Sequence, residues 1–170
     1  MTTLILTVAG ADRPGLVAAI ADVVDAHGGN WENSQLAELA GTFAGVIGVS
    51  VAPDRVEELQ RALHGLDGLL TVTVHTGADA ASAGSDESQV SLSVLGNDRP
   101  GIVRDISRVL STHALSIDSM STETRDAAMA GGRLFESTVT ATVPASADLD
   151  ALRSDLEQLA TEIQVDITLG

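Results

Sequence analysis

The chain has 170 residues, 44% of them hydrophobic, and a mean hydropathy of +0.21, so it is long enough to bury a core and too apolar to remain an unfolded coil. Nine basic residues, all arginine, stand against 24 acidic ones, and the net charge of -15 at pH 7 excludes a nucleic-acid binder, whose phosphate contacts depend on cations displacing counterions. The absence of cysteine excludes a disulfide framework, a thiolate nucleophile and a thiolate metal site, and no apolar run approaches the ~18 to 20 residues that span a bilayer.

The opening Met1-Thr2-Thr3-Leu4 has no basic stretch leading into an apolar one, and the cytoplasm is the expected compartment. Leu4, Leu6 and Val8 then alternate with polar or small residues, the period of a strand with one side on a core. Gly10-Ala11-Asp12-Arg13-Pro14-Gly15 follows, and Leu16, Val17, Ile20, Val23 and Val24 form a helical stripe ending near His27-Gly28-Gly29. Residues 30–39 read as a second strand, Gly41 as a turn and 42–52 as a third strand. Val56, Leu59, Leu63 and Leu66 mark a second helix, and Leu70, Val72 and Val74 a fourth strand. Residues 78–87 have no apolar periodicity and read as a linker.

The whole pattern then returns. Gly96-Asn97-Asp98-Arg99-Pro100-Gly101-Ile102-Val103 repeats the first motif 86 residues later, preceded by Val90, Leu92 and Val94 and followed by Ile106, Val109, Leu110 and His113. Second and third strands are expected at 116–124 and 133–143, joined by a longer connection over 125–132. Leu149, Leu152, Leu156 and Leu159 mark a helix, and Ile163, Val165 and Ile167 the last strand. The predicted fold is α+β: two tandem ferredoxin-like βαββαβ units, 1–77 and 88–170, each a four-stranded antiparallel sheet with two helices on one face.

Tandem βαββαβ units with Gly-x-Asp-Arg-Pro-Gly-(Leu/Ile)-Val at each strand-to-helix junction resemble ACT domains, and in particular the double-ACT glycine cleavage system transcriptional repressor group. Gly29-Asn30-Trp31-Glu32-Asn33-Ser34 and Gly41-Thr42-Phe43-Ala44 extend the likeness in the first copy; Leu115-Ser116-Ile117-Asp118-Ser119 and the longer hairpin weaken it in the second. The resemblance implies a regulatory module that binds small molecules, often amino acids, between paired domains. It also implies a homodimer and a protein partner, a transcription factor, engaged without direct nucleic-acid or membrane contact.

The motif has chemistry of its own. With Pro14 and Pro100 as the first helical residues, Arg13 and Arg99 become N-caps with no acceptor to return to the first-turn N–H groups. Those donors, together with the positive end of the helix, suit a ligand carboxylate. Gly15 and Gly101 leave room for it, and Asp12 or Asp98 can take the ammonium. The expected ligand contacts are Gly10, Asp12, Arg13, Pro14, Gly15, Leu16 and Asn30 in the first copy, which is the preferred site. In the second they are Gly96, Asn97, Asp98, Arg99, Pro100, Gly101 and Ile102. The purely structural alternative is that Asp12 itself caps the helix, with Pro14 one position further in.

Other residues carry less. His27 and His113 read as helix ends, His64 and His75 as surface residues, Trp31 as a packing residue and Gly131-Gly132 as a hairpin turn. Without a nucleophile, base and orienter in one set, an enzyme is not expected, nor is any cofactor or metal. An RNA-recognition module of the same βαββαβ order needs aromatics on its first strand, and Leu4 to Val8 and Val90 to Val94 have none. The remaining contenders are a ligand-sensing regulator and an ACT-type assembly module without a ligand.

Overall fold

The computed structural model describes residues 1–77, 87–129 and 131–170; of the expected linker 78–87, all but Glu87 lies outside the described residues. The chain divides into two units, Met1–Ser82 and Ala83–Gly170. In the first, Leu4, Leu6 and Val8 alternate inward along β1 (Thr2–Ala11), and α1 (Leu16–Ala26) buries Leu16, Ile20 and Val24 at helical spacing. The hairpin of β2 (Asn30–Leu39) and β3 (Thr42–Val51) follows, then a short 3-10 turn at Pro53–Arg55, α2 (Val56–His64) and β4 (Thr71–Thr76). The four strands form one antiparallel sheet in the order β2-β3-β1-β4. Leu59 and Leu63 of α2 join Leu4, Leu6, Ile47 and Val49 in a single core that is aliphatic but for Phe43, with Trp31 packed at its margin.

The second unit repeats this order with β5 (Ser88–Asn97), α3 (Ile102–Thr112), β6 (Ser116–Asp126), β7 (Arg133–Val143), α4 (Leu149–Ile163) and β8 (Val165–Leu169), and the sheet order β6-β7-β5-β8. Its core gathers Leu92, Val94, Ile106, Leu110, Val139, Leu152 and Leu156. Among the described residues no helix is long and apolar enough to cross a membrane.

Three local expectations are corrected. The helices begin at Leu16 and Ile102, and their N-caps are Gly15 (φ 91, ψ 1) and Gly101 (φ 95, ψ -2) in place of the arginines. Proline at the second position of a turn and a left-handed glycine at the third make a type II turn, and that geometry displaces Pro14 and Pro100 from the helix. Ile163 closes α4 instead of opening the last strand, because it extends the buried stripe Leu152, Leu156, Leu159. The connection expected over 125–132 is shorter: β6 runs on to Asp126, with Arg125 and Asp126 paired to Leu134 and Arg133.

Helix ends show how the duplicated frame tolerates different residues. Gly29 N–H donates to the Val24 carbonyl at 2.9 Å and Leu115 N–H to the Leu110 carbonyl at 3.0 Å, closing α1 and α3 with the same Schellman turn. Its left-handed position holds Gly28 (φ 68) in one unit and Ala114 (φ 60) in the other. An alanine there is strained against its own Cβ. Ala114→Gly is therefore expected to stabilise the second unit by about 0.5 to 1 kcal/mol, the strain relief exceeding the glycine's added unfolded-state entropy. A rise in the urea midpoint at unchanged slope is the reading that checks it.

Candidate ligand site at the strand-to-helix turns

Each turn is tied to the hairpin of its own unit. Asp12 N–H donates to the Gly41 carbonyl at 2.9 Å and Asp98 N–H to the Arg133 carbonyl at 2.8 Å. Gly10 and Gly96 serve packing, since a Cβ on Gly10 would sit 2.9 Å from the Leu69 carbonyl oxygen and one on Gly96 would sit 2.5 Å from Val165 Cγ1. Asp12, Arg13, Pro14 and Gly15 are exposed and Leu16 is buried, so the turn presents a polar outer surface over an anchored helix start.

The two turns differ in what covers them. Among the described residues neither Asp12 nor Asp98 accepts a side-chain hydrogen bond from the first turn of its helix, and the N-cap residues are the glycines. At Gly15 nothing among the described residues lies within 4 Å of where a Cβ would be, and no acidic residue occupies the first turn of α1. The first-turn N–H groups of Leu16, Val17 and Ala18 thus meet an open approach. At Gly101 the Arg104 guanidinium lies across the turn, its Nη2 2.9 Å from the same hypothetical Cβ. Asp105 holds it there: its carboxylate accepts from Arg104 Nε at 3.0 Å and from Arg99 Nη2 at 3.4 Å. The corresponding residues of the first unit are Ala18 and Ala19. Arg13, freed of any such partner, donates from Nη2 to the Gly68 carbonyl at 3.1 Å and so pins the loop before β4.

Asn30 is not brought to its own turn. It pairs with Ser50, which pairs with Thr3, so it stands at the opposite end of the sheet from Ala11, about 27 Å away at strand rise. There Asn30 Nδ2 donates to Glu32 Oε1 at 2.8 Å, and Ser50 Oγ donates to the same oxygen at 2.5 Å. Those bonds, Ser50's first and Asn30's second, hold the Glu32 carboxyl below the usual carboxylate range against a small opposing effect of burial. In the second unit Gly96 and Asn97 border a groove of about 1010 Å³ shared with Gln164, Val165, Asp166 and Thr168, while Asp98 to Ile102 lie outside it.

Arg104, Asp105, Glu32 and Ser50 were not singled out by the motif. The signal for the first pair was present: the repeat aligns Arg104-Asp105 with Ala18-Ala19, the sharpest change of chemistry beside an otherwise matched turn. His27 and His113 do close their helices. Nδ1 of His27 lies 2.7 Å from the Val23 carbonyl, and His113 Nε2 lies 2.7 Å from Asp155 of α4.

Residues 2–77 and residues 85–166 each match the ACT domain family. The chain belongs to the ACT domain family, with two ACT domains in tandem. It is 28% identical over 164 residues to the glycine cleavage system transcriptional repressor of Escherichia coli, an alignment covering 94% of this chain and 85% of that protein. Among solved structures, an unknown protein from Galdieria sulphuraria superposes with a TM-score of 0.90 at 27% identity over 99% of this chain and 96% of that one. A further structure, described as that of a glycine cleavage system transcriptional repressor, has a TM-score of 0.72 at 20% identity over 99% and 96% of the two chains, and speaks for the tandem ACT fold alone.

Proposed function

We propose that this protein is an amino-acid-binding regulator, with the ligand carboxylate seated at the Asp12-Arg13-Pro14-Gly15 turn of the first ACT unit. The observation that carries this reading is the uncovered helix start at Gly15, where neither a side-chain cap nor a neighbouring side chain occupies the space in front of the first-turn donors. The second turn, covered by Arg104 and Asp105, is the silent copy. Asn30 supplies a polar contact from the far end of the same sheet, so a pocket that uses both features draws them from two copies of the chain, as in a homodimer. The relative named as a transcriptional repressor supports a regulatory output. With a net charge of -15 that output runs through a protein partner, a transcription factor, and not through DNA. The reading is of a non-catalytic protein of the cytoplasm.

Thermal unfolding against a panel of amino acids tests it. A true ligand at ~100 times its dissociation constant adds about 2.7 kcal/mol to the stability of the wild-type chain. The double substitution Ala18→Arg with Ala19→Asp, which transplants the cover of the second turn onto the first, should abolish that gain. If no amino acid raises the midpoint, the chain is an assembly module and the sensing function is wrong.

A further inference from the structure

Glu32 and Asp118 occupy the same unusual place. Each sits in a β-bulge of an edge strand, where the register slips between Trp31 and Asn33 and between Ile117 and Ser119. Each carboxylate accepts a hydroxyl from the neighbouring strand, Ser50 at 2.5 Å in one unit and Thr142 at 2.8 Å in the other. Each also accepts an amide N–H, but from different directions: Asn30 lies on the bulged strand itself, whereas Gln89, 3.1 Å from Asp118, reaches over from β5. In the repeat, Ser116 stands where Asn30 does. The second bulge takes its amide from Gln89 on β5, so the lock itself does not require the amide to stand on the bulged strand, where Asn30 is.

We propose that Glu32 is a positioning residue that turns Asn30 into an outward-facing hydrogen-bond acceptor, selecting ligands that carry an ammonium group. An ionised carboxylate accepts and cannot donate, so the end of the Asn30 amide that meets Glu32 must be the NH2. The carbonyl Oδ1 is then fixed on the other side, exposed and with no side-chain partner among the described residues. Left alone, an exposed amide presents either end to a ligand. Beside Glu32 it presents one, an acceptor, which suits a donor such as an ammonium and disfavours a carboxylate. Ser50 holds the carboxylate in place, and its hydrogen bond helps keep Glu32 ionised below the usual carboxylate range. Ser116 offers no such carbonyl, so this selection belongs to the first unit.

The proposal rests on the amino-acid reading above, and its test separates the two. Isothermal titration calorimetry on the full chain would compare each amino acid with its des-amino carboxylic acid. Wild type is expected to bind the amino acid about tenfold more tightly, the worth of one charge-assisted hydrogen bond. Asn30→Ala and Glu32→Gln should each collapse that gap, and Ser50→Ala, which keeps both side chains, should narrow it by about threefold. Circular dichroism melts confirm that each variant is folded, and Ser50→Ala with Asn30→Ala suffices if Glu32→Gln is not. A gap kept in Asn30→Ala but lost in Glu32→Gln would mean that the carboxylate holds the ammonium directly, which overturns the positioning role. A gap unchanged in every folded variant overturns it while leaving the sensor function standing. No binding of any amino acid to wild type overturns both.

Discussion

Truncating Leu6 to alanine is expected to cost the first unit about 3 kcal/mol, a large part of the stability a domain of this size holds. Leu6 is fully buried on β1, paired with Ile47 on one side and Val74 on the other, and it packs in the cluster that α1 and α2 close from above. Removing its isobutyl group leaves a void that a sheet centre, held on both sides by ladder bonds, cannot collapse to fill. Leu92 is its counterpart in the repeat, equally buried, between Val139 and Leu169. Because the two core clusters share no residue, Leu6→Ala should lower amide-exchange protection across β1 to β4, and Leu92→Ala across β5 to β8. Equal loss of protection in both units after either change would show that they unfold as one.

Gly45→Ala is the second large effect, expected at about 3 kcal/mol of destabilisation from overpacking. A Cβ on Gly45 would press into the Gln35 carbonyl and come within 2.7 Å of Leu36 Cδ2 and 2.8 Å of Leu36 Cα, so β2 must move off β3 or Leu36 must leave the core margin. The repeat shows the opposite solution. Ser137 takes the matching place opposite Val94, as Gly45 does opposite Val8, and faces Thr122 where Gly45 faces Leu36. The smaller cross-strand partner leaves room for a side chain, but Ser137 Oγ is buried and has no hydrogen-bond partner among the described residues. Ser137→Ala should therefore leave stability unchanged or raise it by up to about 1 kcal/mol. Denaturant unfolding of the two variants side by side reads both signs in one experiment.

The frame of this fold was legible because the repeat printed it twice. Strands with one face on a core announced themselves by alternation at Leu4, Leu6 and Val8 and again at Val90, Leu92 and Val94. The helices did so by stripes that the structure buries at Leu16, Ile20 and Val24 and at Ile102, Ile106 and Leu110. β2 was found with the bounds 30–39 although it has almost no buried residue, since the helix end before it and Gly41 after it left little freedom. Misreadings came where two local rules compete. Proline favours both the first helical position and the second position of a type II turn, and the following glycine decides for the turn. The bulges at Glu32 and Asp118 carry no glycine and break no periodicity, so nothing in the order of residues marks them. What covers each turn depends on non-apolar neighbours, and Arg104 and Asp105 matter only once the chain is folded back on Gly101.

The distance between Asn30 and its own turn has a consequence for how such a sensor reads its surroundings. In the regulator proposed above, a ligand held by both groups needs two copies of the chain, and by mass action each then strengthens the other: more protein would tighten the apparent hold on the small molecule, and more small molecule would draw copies together. Dilution would silence the response at constant ligand. A cell that varies the abundance of this chain would thereby retune the threshold at which the metabolite is noticed.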